Sequence, residues 1–354
     1  MRNDEKGRYL SASEVSETFM TTRKFDRIML CFIGGAVLAT SAISLVSPNA
    51  GLTTAPRVSY DGENAETAHL YQNDRDARHK TTEIASNIPI ETLRKVEDLA
   101  RGFKKIGYHL ENVRGDAAPV PRVFLAELPV DFHETVEVSL KKTVFFRMML
   151  PLILKENERI LADRERLYKI KVAKALGHKI EARDRLWVSV LADRYKLKDD
   201  NLGALMKRVD VVPPSLALAQ AAEESGWGTS RFAQHANALY GQWTTSDSEG
   251  LVPEQRPDGM DHKIRAFDNL EQSVSAYMRN LNTHRAYREF RRHRSTLRGA
   301  SEPLDGSTLA GNLTRYSERG QKYVDSVRTI IEANDLRKLD DARLVHEDAD
   351  DQSV

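Results

Sequence analysis

Apolar residues recur at three- and four-residue spacing through Ile90, Leu93, Val96, Leu99, Phe103, Ile106 and Leu110, which predicts one helix with a single apolar stripe despite Gly102 and Gly107. The prolines of 119–129 interrupt helical character, and a second helical region is predicted from Phe132 to Lys174. Its stretch Val144–Leu154 is apolar but too short to span a bilayer, and it contains Arg147 and Pro151, so it reads as protein core. From 155 to 200, charged residues alternate with Ile160, Leu161, Leu167, Ile170, Leu186, Val190 and Leu191, the pattern of amphipathic helices with solvated outer faces.

The pattern is different at the beginning of the chain. Residues 1–22 are polar, and Arg23, Lys24 and Arg27 precede a 19-residue run, Ile28–Val46, without a charged residue. As a helix that run would be roughly 28 Å long, enough for the hydrocarbon core of a membrane. It is expected to be a transmembrane helix whose cationic flank, 1–27, stays cytoplasmic. A cleavable leader ending near Ser47–Ala50 is the alternative. Residues 47–83 have no apolar period and read as a flexible tether, leading to a helical region over 84–200.

The most informative stretch is Val211–Trp243. Pro213 and Pro214 suit a helix start, and the alternation of Ala217, Ala219, Ala221 and Ala222 with Leu216, Leu218 and Gln220 predicts a helix buried on most sides. Gly226 and Gly228 should end it just after Glu223-Glu224-Ser225. Neighbouring helical residues point about 100° apart, so only one glutamate can face a given cleft. Glu224 shares a face with Ala217, Gln220 and Ala221, and these neighbours with the Trp227 ring should raise its pKa toward the range of a general acid. Glu223 is left for a solvated or bridging role.

Downstream, Trp243–His262 is rich in Thr, Ser, Asp, Gly and Pro, which is hairpin or loop chemistry. Asp268 or Asn269 should cap a following helix. Arg279, Arg285, Arg288, Arg291, Arg292, Arg294 and Arg298 face one acid, Glu289, in the next segment. That run reads as a solvated face, or as a set of receptors for substrate carboxylates. Thr308–Leu336 is predicted as a final helical region and 339–354 as an acidic disordered tail.

Composition adds mainly exclusions. With 354 residues, 40% of them hydrophobic, the chain can build two modest domains, and a net charge of +1 gives no reason to expect a nucleic-acid partner. The single cysteine, Cys31, excludes an internal disulfide, and neither metal-ligand spacing nor a phosphate-binding glycine loop is present. No cofactor and no metal are expected.

Glu224-Ser-Gly-Trp-Gly, followed by Ser230-Arg-Phe-Ala233 and Asn237-Ala-Leu-Tyr-Gly241, resembles the glucosaminidase family, glycoside hydrolase family 73. Arg208–Pro213, Gly241-Gln-Trp243, Gly250-Leu-Val-Pro253, Asn280–His284 and Tyr316-Ser-Glu-Arg-Gly320 are similar to its Bax-type branch. The resemblance implies a mainly α (α+β), lysozyme-like domain over 201–338 with a small β-lobe. It also implies hydrolysis of peptidoglycan glycan strands by a periplasmic domain anchored in the inner membrane. On this reading Glu224 is the general acid, Glu254 the second carboxylate ahead of Asp258 and Asp261, and Tyr316 a catalytic tyrosine facing the cleft. Trp227, Asn237, Tyr240 and Trp243 are the substrate-binding candidates, the aromatic ones offering faces to sugar rings. This chain departs from the family at Glu223, where relatives more often carry Asn or Leu. It also has Thr244 and Glu249 where Bax-type relatives often carry cysteines, so no β-lobe disulfide is expected. A lytic transglycosylase and a non-catalytic wall-binding protein on the same fold are the competing readings.

Overall fold

The computed structural model describes residues 95–346 apart from 116–117, 136, 245–249 and 253–262. The expected membrane span, the tether, Glu249, Glu254, Asp258 and Asp261 lie outside the described residues, and 253–262 fall in the chain between the second and third strands. Among the described residues no helix is long and apolar enough to cross a membrane.

Helix α1 (Val96–Lys105) buries Val96, Leu99 and Phe103, as its apolar stripe requires. It does not run on to Leu110. Ile106 leaves the helical region and Gly107 turns at φ 71°, after which α2 (Leu110–Arg114) begins. Glu137 then caps α3 (Val138–Ala175), its carboxylate accepting from the Ser139 and Leu140 amides. All of Val144–Leu154 is buried in this 38-residue helix, Pro151 included. The far half of α3 turns back into α4 (Ala182–Arg194), tied by Arg166–Asp184 at 2.7 Å and Arg194–Asp163 at 3.2 Å.

After α5 (Leu202–Arg208) comes α6 (Pro214–Ser225), the axis of the domain. Its small residues from Ala217 to Ala222 allow close approach on every side, and α3 packs against it together with three later elements. Helix α7 (Arg231–Ala236) leads to a three-stranded antiparallel sheet, β1 (Trp243–Thr244), β2 (Gly250–Leu251) and β3 (Lys263–Arg265), in the order β1-β3-β2. Trp243 pairs with Ile264, and Leu251 pairs with Ile264 from the other side. This small sheet stands where turn chemistry predicted loop or hairpin and the family resemblance implied a β-lobe. Asn269 caps α8 (Leu270–Thr283), accepting from the Gln272 amide at 2.9 Å, and α9 (Arg288–Gly299) follows.

The arginine run is exposed, as a solvated face should be, at Arg279, Arg285, Arg288, Arg292 and Arg298, but Arg291 and Arg294 are buried. Arg288 and Arg292 are exposed and pair with Glu289. Arg294 is 0% exposed and donates to the carbonyls of Asp210, Val211 and Lys207 and to Asn282 Oδ1 at 2.7–3.3 Å. Arg291 donates to the carbonyls of Leu281 and His284. Arg294 satisfies carbonyls of the irregular segment that enters α6, where no helix or strand supplies donors, and Arg291 those at the end of α8.

The final helical region predicted over Thr308–Leu336 consists of α10 (Gly306–Ala310) and α11 (Gln321–Ala333), with Tyr316 in the turn between them. A short 3-10 turn, Leu336–Leu339, follows and packs on α6 with α10 and α11. Residues 339–346, which composition assigns to a disordered tail, are part of the core. Leu339, Ala342 and Leu344 are buried, and Val120 pairs with the strand-like end through bonds to Arg343 O and from Val345 N, both 2.8 Å. One continuous apolar core includes residues of α1, α3, α6, α8 and α11.

Candidate active site

Glu224 occupies the last turn of α6, and the residues after it build the turn that holds it. Gly226 ends the helix at φ 57°, Trp227 follows at φ 60° and Gly228 at φ 79°, three consecutive left-handed residues. Ser225 clasps this turn, donating to Ala221 O at 2.5 Å and accepting from the Gly228 amide at 2.8 Å. Thr229 donates to Gly226 O, Gln234 to Gly228 O, and Ser230 caps α7. Most of the Glu-Ser-Gly-Trp-Gly-Thr-Ser string is therefore spent on geometry, which leaves Glu224 as its chemical member.

Glu224 is 7% exposed, and burial raises its carboxyl to about 8. The negative charge of Glu223 pushes in the same direction, whereas a hydrogen bond from Tyr323 and the charge of Arg319 pull it down. Glu223 is the bridging residue expected: its Oε1 lies 2.5 Å from Arg319 Nη1, and Arg319 also reaches Ser326 Oγ. Around the acid stand Tyr277, Tyr287, Tyr316 and Tyr323, all buried and all held above the ordinary phenol range by burial first and the Glu224 charge second or later. Gly241, at φ 59°, brings backbone against the same group, since a Cβ there would sit 3.5 Å from Glu224 Oε2.

The structure distributes the other candidates unevenly. Tyr316, expected to face the cleft, is 3% exposed; its hydroxyl donates to Tyr240 O at 3.2 Å and its ring stacks on Tyr323 with centroids 5.4 Å apart. Tyr240 offers no free face to a sugar, because it is buried and stacked on Tyr277 at 3.8 Å; its hydroxyl has no hydrogen-bond partner among the described residues. Trp227 packs edge-on against Phe145 and Phe146 at 6.1 and 5.3 Å, with Lys142 over its ring at 4.5 Å. It is thus engaged with α3. Asn237 ends α7 in the left-handed region and donates to Phe267 O at 3.1 Å, a structural role. Trp243 is half-buried on β1 at the lobe.

Residues 200–336 match the family described as mannosyl-glycoprotein endo-beta-N-acetylglucosaminidase. They form a glucosaminidase-family domain. Protein bax of Escherichia coli (strain K12) is 33% identical to the chain over 189 residues, which make up 52% of this chain and 66% of that protein. No solved structure matches the chain. The glucosaminidase domain ends at about α11, yet the segment after it closes the core against α6, so the folded unit is larger than the family match.

Two members of the site were not recognised in the sequence. Tyr323 as well as Tyr316 stands beside Glu224, and Gln220, one turn before the acid, joins Tyr323 to Tyr277. The i to i+4 spacing of Gln220 and Glu224 on an otherwise apolar helix was the available signal, since a buried amide demands partners. Among the described residues no cluster of His, Cys, Asp or Glu could hold a metal ion.

Proposed function

We propose that the glucosaminidase domain is an endo-β-N-acetylglucosaminidase acting on the glycan strands of peptidoglycan, with Glu224 as general acid. The observation that carries this reading is a carboxyl group kept protonated at neutral pH by burial, at the end of α6 and inside the family-matched segment. In the reaction the bond from the anomeric carbon to the bridging oxygen breaks. Its electron pair goes to that oxygen, which takes the Glu224 proton, and water then adds to the carbon. A second carboxylate must take the proton of that water, and Glu254, carried by the segment joining β2 and β3, is the choice. The substrate's own N-acetyl oxygen is the alternative nucleophile.

Mass spectrometry of peptidoglycan digested by the full chain tests this. Products ending in reducing N-acetylglucosamine are expected; anhydro-muramic ends would establish a lytic transglycosylase, and undigested strands a binding protein.

The apolar run Ile28–Val46 is the basis for a second element of the reading, a single-pass anchor in the inner membrane that leaves the domain in the periplasm. The intact chain should stay with membranes through high-salt and carbonate washing. Recovery of a soluble protein starting after residue 50 would overturn the anchor in favour of a cleaved leader.

A further inference from the structure

The turn that joins α3 to α4 forms an exposed tip. From Lys171 to Leu186 every residue is exposed except Ala173, Ile180 and Asp184, which are half-buried. The hairpin behind the tip is held in place, because Leu167, Ile170, Val188 and Leu191 belong to the apolar core. Arg166 pairs with Asp184 at 2.7 Å and lies over the Trp187 ring at 4.4 Å. Gly177 turns the chain at φ 78°, and Arg185 donates to Ile180 O at 2.6 Å. The tip therefore has a fixed shape.

Two kinds of side chain share it. Lys171, Lys174, Lys179, Arg183 and Arg185 stand against Glu181 and Asp184, five cations to two acids in a chain whose net charge is +1. Asp184 is already neutralised by Arg166, whereas Lys171, Lys174, Lys179 and Arg183 make no ion pair among the described residues. Beside these cations Leu176 is 69% exposed, Leu186 61% and Tyr168 55%. Tyr168, Val172 and Leu176 recur every four residues and make one ridge at the end of α3. Because Asp184 and Trp187 both meet Arg166, Leu186 sits near the level of Tyr168. A single exposed leucine needs no explanation, but a group of large apolar side chains among unpaired cations does.

We propose that this tip docks on an anionic lipid surface. Tyr168, Val172, Leu176 and Leu186 enter the headgroup boundary, while Lys171, Lys174, Lys179 and Arg183 meet lipid phosphates. The pairing of the two kinds of side chain selects this occupant. A second copy of the tip would bring like charges together, and a soluble polyanion would satisfy the cations but leave the leucines in water. The docking goes beyond the glycosidase reading and does not depend on it. An anchor at Ile28–Val46 would keep the tip close to such a surface and so raise its effective concentration there.

The full chain in vesicles tests this, with Cys31→Ser removing the native thiol and Leu176→Cys carrying a solvent-sensitive fluorophore. A second chain carries the label at Glu332→Cys, an exposed position on α11. Vesicles of equal parts phosphatidylglycerol and phosphatidylcholine should shift the emission of the 176 label to the blue, and pure phosphatidylcholine should not. The 332 label should stay silent on both. Lys171→Gln, Lys174→Gln, Lys179→Gln and Arg183→Gln together should lower the docked fraction by about tenfold or more, and so should Tyr168→Ser with Leu186→Ser. The first set keeps every apolar side chain and the second every cation, so the two contributions are read separately. An unmoved 176 label on the anionic vesicles overturns the docking and leaves the anchor standing, since that chain can still stay with vesicles through Ile28–Val46. Equal shifts on the two kinds of vesicle, or from the two labels, overturn it as well. A shift that needs no lipid and grows with protein concentration would make the tip a contact between copies, and a shift on purified peptidoglycan alone would make it a wall-polymer site; either result refutes the lipid assignment.

Discussion

Asp340 and Ser215 are 125 residues apart in the chain and joined by two bonds: Oδ1 accepts from the Ser215 amide and Oδ2 from the Ser215 hydroxyl, both at 2.8 Å. Oδ2 also accepts from the Gly306 amide at 3.1 Å. Asp340 thus satisfies a first-turn amide of α6 that no side chain of α6 itself caps, and it places a carboxylate at the positive end of that helix. Gly306 is required there, because a Cβ would stand 2.1 Å from Ser215 Oγ. The end of the chain therefore fastens the helix that carries Glu224.

Asp340→Ala should destabilise the fold by about 2–3 kcal/mol, since it strands buried donors at the start of α6. Urea unfolding of the variant measures this. Burial raises Asp340 to about 6, so the carboxyl binds its proton more readily folded than unfolded, and the wild-type's advantage over Asp340→Ala should grow as pH falls through 6 toward 4. A chain ending at 338 should lose more than the point variant, because Leu339, Ala342 and Leu344 leave the core with it. Equal stability of the shortened chain would mean that this segment only rests on the domain.

Glu224→Gln should abolish glycan cleavage while the domain stays folded, as it keeps shape and hydrogen bonding but has no proton to give. Glu223→Gln should retain most activity and shift the alkaline limb of kcat/KM downward, because it removes a charge that raises Glu224 and frees Arg319. Equal losses from the two glutamine variants would end the division of roles between these neighbours.

Stability should fall as pH rises from about 4.5 to 8. A carboxyl whose folded pKa is raised binds more protons folded than unfolded across that window, so the stabilisation present at acid pH is lost as Glu224 ionises near 8. Glu224→Gln should remove this dependence and be more stable than the wild type above pH 8, by an amount on the order of a few kcal/mol. Thermal unfolding of both proteins across the window checks it; parallel curves would show that Glu224 ionises without cost.

Arg294→Met should destabilise by roughly 3–5 kcal/mol, since it leaves the carbonyls of Lys207, Asp210 and Val211 and the buried Asp210 carboxylate short of a partner. Arg294→Lys should recover little, because one ammonium cannot reproduce a planar fork that meets these acceptors in several directions. Burial lowers the Arg294 guanidinium only to about 10, so it stays charged at neutral pH. Denaturant midpoints of the two variants separate this structural role from ligand binding, which would leave stability unchanged.

Much of this protein was legible in its sequence because it is local. The span of α6, its end at Gly226, the cap at Asn269, the buried run Val144–Leu154 and the lobe after Trp243 follow from helical period, capping and turn chemistry within a few residues. The Glu-Ser-Gly-Trp-Gly string marked Glu224 in the same way, and a position 100° around the helix separated it from Glu223. What the sequence left open depends on pairs remote in the chain. Composition made Arg294 solvated and the segment after Lys338 disordered, because a charged residue reads as exposed until its partner is known; Arg294 is buried and Asp340 half-buried because carbonyls near 210 and amides at 215 and 306 await them. The settings of Tyr316 and Tyr323 were decided the same way. Two tyrosines seven residues apart have the same chemistry, and only the folded chain decides that one hydroxyl donates to a backbone carbonyl while the other accepts from the Gln220 amide.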